Sequence, residues 1–282
     1  MKSRFLLCLL GFALSAGAQT PTPISIVAAE NFYGDVAWQI AGSSAQVVSI
    51  LSNPNQDPHE FQTDAKTAKA VADADIVIYS GIGYDDWMGK LLGAQGKPTR
   101  VVINVSSLIG AKDGDNPHIW YDPKTMPALA AKLGEILHAQ AAAANFTASM
   151  APELNKIAEL KSKCAGMTVT ATEPVFGYMA AALGFNMVNY QFQIAVMNDT
   201  EPSFQQTADY EKSLTSHAVK ILFYNSQVTD PVTQRMQTLA KNNNIPIVGV
   251  TETQPLEAKS YQDWMLNELN GVEAALKQMP TP

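Results

Sequence analysis

Short runs of β-branched and apolar residues alternate along this chain with longer stretches of helical spacing, and that alternation limits the fold more than any other feature. It is the pattern of βαβ units and parallel sheets. "PISIVAA" (23–29), "AQVVSIL" (45–51), "DIVIYSG" (75–81) and "RVVINVSS" (100–107) read as four strands. "FYGDVAWQIAG" (32–42) is helical with a Gly stop, and "TDAKTAKAVADA" (63–74) is helical with Thr63 or Asp64 as its cap. One four-stranded lobe is therefore complete by about residue 123. Residues 125–165 hold no strand-like run: "KTMPALAAKLGEILHAQAAAAN" and "PELNKIAELKSKC" carry apolar residues at helical spacing, and Pro152 should start a second helix or kink a long one. Alternation then resumes with "MTVTATE" (167–173), "NMVNYQF" (186–192), "AVKILFYN" (218–225) and "IPIVGVTE" (245–252). The expected fold is α/β, with two lobes, each a roughly four-stranded parallel sheet flanked by helices, joined by helix. The expected boundaries are 19–124, 125–165 and 166–282, with no repeat visible at the level of letters.

The first residues read as an export leader. Met1 to Arg4 is a short basic region, "FLLCLLGFALSA" is an apolar run, and "AGA" at 16–18 has the small-x-small form of a cleavage site. Residues 1–18 are thus expected to be removed after Ala18, and Cys8 is poorly placed for lipid attachment. The full chain carries −7, and loss of Lys2 and Arg4 takes it to −9. So acidic a surface argues against nucleic acid as a partner. Only Cys164 remains after cleavage, so no disulfide framework is available and Cys164 reads as a buried small apolar residue. No later stretch is long and apolar enough for a membrane helix. Phosphate loops of the GxxxxGK[ST] type, GxSxG elbows and HExxH helices are all missing from the sequence.

Open parallel sheets bind ligands outside the carboxyl ends of their strands. His59 follows "VVSIL" and His118 follows "VVINVSS" in the first lobe, while Glu173 ends "MTVTAT" and Glu252 ends "IPIVGVT" in the second. Singly each is weak: a loop histidine is often a surface group, and a glutamate after a strand often caps the next helix. Together, two neutral imidazoles and two carboxylates offer a divalent ion charge balance and at least four ligand atoms. Both histidines follow proline, in "DPHEFQ" (57–62) and "NPHIWYDP" (116–123), which stiffens the loop that aims each ring. His138, near a helix end, and His217, on the opposite sheet edge, read as structural. Glu30 also ends a strand and is at most a supporting group. Asp122 either orients a ligand histidine or caps the turn before Pro123, and "GIGYDDW" (81–87) either lines the cleft or is simply a turn.

"DPHEFQ", "ADIVIYSGIGYDDW", "NPHIWYDP", "EPVFGYMAAALGF", "TEPS" and "VTETQP" together resemble the periplasmic metal-binding proteins of zinc/manganese-type ABC importers, in order through the whole processed chain. The resemblance implies two lobes bridged by a long connecting helix, a metal between them and a small closure on binding. It also implies an ABC permease with a cytosolic ATPase as partner, a periplasmic location and a monomer that is not an enzyme. The family's ligands fall on His59, His118 and Glu173, and Glu252 stands where the family usually has Asp. The histidine-rich loop of the zinc members is absent, its place being taken by "IGAKDGDN" (109–116). Two carboxylates favour Mn2+, with Zn2+ close behind and Fe2+ acceptable to the same donors. Affinity should weaken as pH falls through about 6.5, where imidazoles protonate. Two other classes compete: an exported metal-dependent hydrolase, needing an open position for water and a separate base, and a binder of an organic ligand or metal chelate, needing a broad aromatic cleft. Adhesion has no positive feature in the sequence.

Overall fold

The computed structural model describes residues 22–53, 61–94, 96–228 and 230–279. The expected leader and His59 lie outside the described residues. The first sheet contains β1 (Ile24–Glu30), β2 (Ala45–Leu51), β3 (Ile76–Tyr79) and β4 (Val101–Asn104), in the order β2-β1-β3-β4. The second contains β5 (Thr168–Ala171), β6 (Asn186–Val188), β7 (Leu222–Asn225) and β8 (Ile247–Val250), in the order β6-β5-β7-β8. Every adjacent pair is parallel. The similarity of layout expected from the sequence is thus a shared strand order. In each sheet the chain reverses its direction of winding beside the first strand, and the crevice this leaves opens at the carboxyl ends of the strands.

Helices α1 (Asn31–Ala41), α2 (Ala65–Asp73), α3 (Asp86–Leu92) and α4 (Val105–Ile109) belong with the first sheet. Asp64 is the cap of α2, its side chain accepting from Thr67 N at 2.7 Å. Between the sheets in sequence run α5 (Thr125–Ile136), α6 (Gln140–Ser149) and α7 (Ala151–Cys164). The segment from 125 to 165 is helical as expected, but it is three helices rather than one rod. His138 adopts φ 53, and Ala139 N closes on Gly134 O at 2.8 Å, which ends α5. α6 then packs so closely that a Cβ at position 134 would lie 2.8 Å from Ala143 Cβ. Pro152 sits in the first turn of α7 as anticipated. Helices α8 (Gly177–Ala182), α9 (Tyr190–Met197), α10 (Phe204–Thr215), α11 (Pro231–Asn242) and α12 (Tyr261–Gln278) complete the chain. The expected strand "NMVNYQF" is cut short: Asn189 turns left-handed at φ 63 and α9 begins at Tyr190.

Alternation along β1 sends Ile26 and Ala28 into one core and Val27 and Ala29 into another on the opposite face. The larger core is continuous from one sheet to the other. Its middle is an aromatic seam in which Trp120 meets Phe32 at 4.7 Å and Tyr84 at 4.6 Å, and Tyr121 meets Phe176 at 5.3 Å and Trp264 at 5.6 Å. Tyr121 donates to Thr251 O and Tyr261 to Trp120 O, both at 2.7 Å, so the phenols of the seam also find partners. Truncating Trp120 to Ala would cost about 3–5 kcal/mol and loosen both halves together. Cys164 is buried, with its thiol on Leu160 O, in keeping with a packing role. Among the described residues no helix is long and apolar enough to cross a membrane.

Candidate metal centre

His118 is brought to the cleft by the loop after β4. Asn104 starts α4 by accepting from Ser107 N, and Gly110, at φ 72, ends it. The chain then turns through Asn116-Pro117 into His118, whose side chain is fully buried. Asn116 Oδ1 receives both the backbone N–H of His118, at 3.1 Å, and its ring Nδ1, at 2.7 Å. The orientation of that amide is fixed because Asn116 Nδ2 donates to Pro174 O at 2.7 Å. Nδ1 of His118 therefore donates to Asn116, which turns Nε2 towards the second sheet. That nitrogen lies 2.9 Å from Oε1 of Glu252.

Glu252 comes from the other sheet, two residues past β8, and it too is fully buried. Gln227 Oε1 accepts the N–H groups of Glu252 and Thr253 at 2.7 and 2.9 Å, while Gln227 Nε2 donates to Thr253 Oγ1 at 2.7 Å. On the other side Thr251 Oγ1 takes the Trp264 indole N–H at 2.8 Å. Glu252 is not a helix cap: α12 is capped by Ser260, whose hydroxyl accepts from Asp263 N. The His118–Glu252 contact consequently joins two strand ends 134 residues apart.

Glu173 is buried after β5, and its carboxylate makes no capping bond to the turn Pro174–Phe176 that follows. That turn is docked on Asn116, since Pro174 O receives its amide and Tyr178 OH donates to Asn116 O at 3.0 Å. A Cβ on Gly177 would stand 2.6 Å from Asn116 Nδ2, so glycine there permits the approach. One asparagine thus holds the ring of His118 and tethers the segment behind Glu173. Sequence reading passed over Asn116, although its offset from His118 in "NPH" matches that of Asp57 from His59 in "DPH". Asp122, the alternative orienter, instead accepts from Lys124 N at 3.0 Å and shapes the turn.

Behind His118 lies a second, acidic layer. Tyr84 meets the imidazole edge-on at 5.9 Å, and Trp120 does so at 5.2 Å. Glu30 is fully buried, and burial, then the neighbouring Asp85, hold its carboxyl well above the usual range. Burial also lifts Asp85 to about 6, against the N–H groups of Ser80 and Gly81, which donate to it at 2.6 and 2.8 Å. "GIGYDDW" is therefore a turn, closed by Asp85, and at the same time the wall that supplies Tyr84. His138 and His217 are left-handed residues at helix ends, away from this cluster. Of the four expected ligands, His118 and Glu252 touch, the turn that follows Glu173 is docked on Asn116, and His59 is not among the described residues. Among the described residues no three His, Cys, Asp or Glu side chains gather as a cage for an ion.

A family model described as "Zinc-uptake complex component A periplasmic" (ZnuA) matches residues 26–275. Zinc-binding protein AdcA of Streptococcus pyogenes is 23% identical over 259 residues, which span 77% of this chain and 48% of that protein. The chain thus spans about half the length of these curated relatives. Manganese-binding lipoprotein MntA of Halalkalibacterium halodurans is 25% identical over 276 residues, covering 90% of this chain and 89% of that protein. A solved structure, the Mn-bound periplasmic metal binding protein from candidatus Liberibacter asiaticus, superposes with a TM-score of 0.72 at 18% identity, over 92% of this chain and 100% of that one. Two parallel four-stranded α/β sheets are common to the fold.

Proposed function

The chain belongs to the zinc-uptake complex component A family, and on that premise we propose that it captures one divalent transition-metal ion between its two sheets and delivers it to an ABC permease driven by a cytosolic ATPase. The ion is cargo. His59, His118, Glu173 and Glu252 are its ligands, residues 19–124 and 166–282 are the two lobes, and 125–165 is the helical connection. Residues 1–18 are the export leader, and the processed protein works as a periplasmic monomer without catalysing a reaction.

One contact supports this function most directly. His118 Nε2 and Glu252 Oε1 face each other at 2.9 Å, so an imidazole nitrogen and a carboxylate oxygen, both ordinary ligands of divalent metals, already meet between the two sheets. Each comes from a strand end of a different sheet, so whatever stands between them also binds the halves together. Both side chains are fully buried, which suits a bare ion. The relatives' names divide between zinc and manganese. Two hard carboxylates beside two imidazoles favour Mn2+, whereas intrinsic affinity favours Zn2+, and Fe2+ suits the same set.

Native mass spectrometry of the processed protein, loaded in turn with Mn2+ and Zn2+, tests the assignment. Wild type should take one ion, and a His59→Ala, His118→Ala double variant should take none. A double variant that keeps its ion as well as wild type would overturn the ligand set.

A further inference from the structure

The backbone that carries Glu252 is held by carboxamides from both halves of the protein. Three successive amide N–H groups, of Glu252, Thr253 and Gln254, end on side-chain amide oxygens. The first two go to Gln227, from the same sheet. The third goes to Asn31, the first residue of α1, across to the other sheet. Asn31 does not stop at one bond: its Nδ2 donates to Gln254 O at 2.7 Å while its Oδ1 accepts from Gln254 N at 3.1 Å. Such a two-point match to a single residue's backbone is what a neighbouring strand would provide, and it fixes distance and direction together. Gln254 is in turn held in its turn by its own amide, which donates to Ala258 O. Asn31 therefore sits beside the strand end of Glu30 and grips the loop two residues beyond Glu252.

We propose that Asn31 is a positioning residue for metal retention: it latches the Glu252 loop to the first sheet, so that its two hydrogen bonds must break before the ion can leave. The proposal rests on Glu252 being a metal ligand, as argued above. A latch of this kind acts on release, because association meets the cleft before the two bonds have formed. A second bridge from α1 to the other half of the protein separates latching from plain stability. Gln39 of α1 and Gln262 of α12 exchange amide bonds at 3.0 and 3.1 Å, and Gln262 also donates to Ser149 Oγ.

The test follows release of Zn2+ and of Mn2+ from the loaded processed protein into excess chelator by stopped flow, with melting curves of metal-free and loaded forms. Asn31→Ala should release either ion about tenfold faster, as the loss of two ordinary hydrogen bonds implies, with an unchanged association rate. Asn31→Asp keeps an acceptor for Gln254 N but turns a second oxygen on Gln254 O, and should be at least as fast. Gln39→Ala should lower the melting temperature of both forms and leave release at the wild-type rate. Wild-type release from Asn31→Ala, or equal acceleration by Gln39→Ala, overturns the latch while leaving the metal site standing. Should His118→Ala hold the ion as tightly as wild type, the ligand assignment falls, and the latch with it.

Discussion

In the first sheet the leading strand, β1, ends on Glu30, and its neighbour β3 runs into the turn closed by Asp85; in the second, β5 leads to Glu173, and β7 to Asn225 and Gln227. The strand orders are the same, yet the two carboxyl edges carry different chemistry. On the first edge Glu30 and Asp85 are buried beside each other, and burial raises both carboxyls above their ordinary range. The edge then presents His118, its ring oriented by the bond between Nδ1 and Asn116. On the second edge the place of the second carboxyl is taken by Gln227, an amide that organises the backbone around Glu252 and adds no charge. A duplicated scaffold has thus been divided into a half that offers imidazole and a half that offers carboxylate. With the proposed ligand set, charge balance for a divalent cation draws on both halves.

The division breaks most sharply if the carboxylates of the two edges prove equivalent. Glu252→Gln should weaken Mn2+ and Zn2+ binding by about 100-fold or more, beyond the range typical of outer-shell losses. Glu30→Gln should change affinity by no more than a few-fold, since Glu30 stands in the layer behind His118 and is no ligand, and burial, then Asp85, raise its carboxyl. Isothermal titration at neutral pH measures both, and comparable losses in the two variants would erase the distinction.

Asn116 offers the next largest effect. Asn116→Ala frees the ring of His118 and unties the Pro174 turn behind Glu173 at once. Binding should fall by about 10–100-fold, the usual range for partners that orient a ligand histidine. Asn116→Asp retains an acceptor for Nδ1 but loses the donor to Pro174 O, so it should restore part of the loss. An Asp variant as weak as the Ala variant would mean that the tether to the second sheet matters and the tautomer does not.

Sequence reading reached the scaffold and the charged groups because both are written locally. Strand runs such as "DIVIYSG", the Asp64 cap and Pro152 act within a few residues of themselves, and they appear where expected. The helix end near His138 is legible locally, but the return of α6 over Gly134 depends on a contact with residues not adjacent in the helix pattern. The same holds in the site. His118, Glu173 and Glu252 stand out by type and by position after strands. Asn31, Asn116 and Gln227 act through their amides on the backbone of distant segments, and an amide in a polar loop carries no mark of its target. Asp122 shows the converse: sequence leaves it either an orienter of His118 or a turn cap, and the fold makes it the cap, accepting from Lys124 N.

Buried acid by itself does not identify this centre, as Glu153 on α7 demonstrates. Its side chain is fully buried, neither oxygen has a hydrogen-bond partner among the described residues, and burial alone pushes its carboxyl up to about 8. Glu268, in the second half, is as deeply placed but accepts from Trp264 Nε1 and Thr251, and reaches only about 7. Neither belongs to the paired strand ends, so Glu153→Met should leave metal affinity unchanged, the smallest effect on the site among these substitutions. Its effect lies in stability. A carboxyl raised from the ordinary 4.5 to about 8 binds more protons folded than unfolded between those values, so wild-type stability is fully present below about 4.5 and declines as pH rises through 8. Methionine fills similar space without ionising, and the variant should therefore gain on wild type by about 2 kcal/mol between pH 5 and 7. Urea midpoints of the metal-free proteins at the two pH values give the number. A gap that does not change with pH would mean that Glu153 is ionised in the folded protein, and that depth of burial alone does not neutralise an acid in the seam between the two sheets.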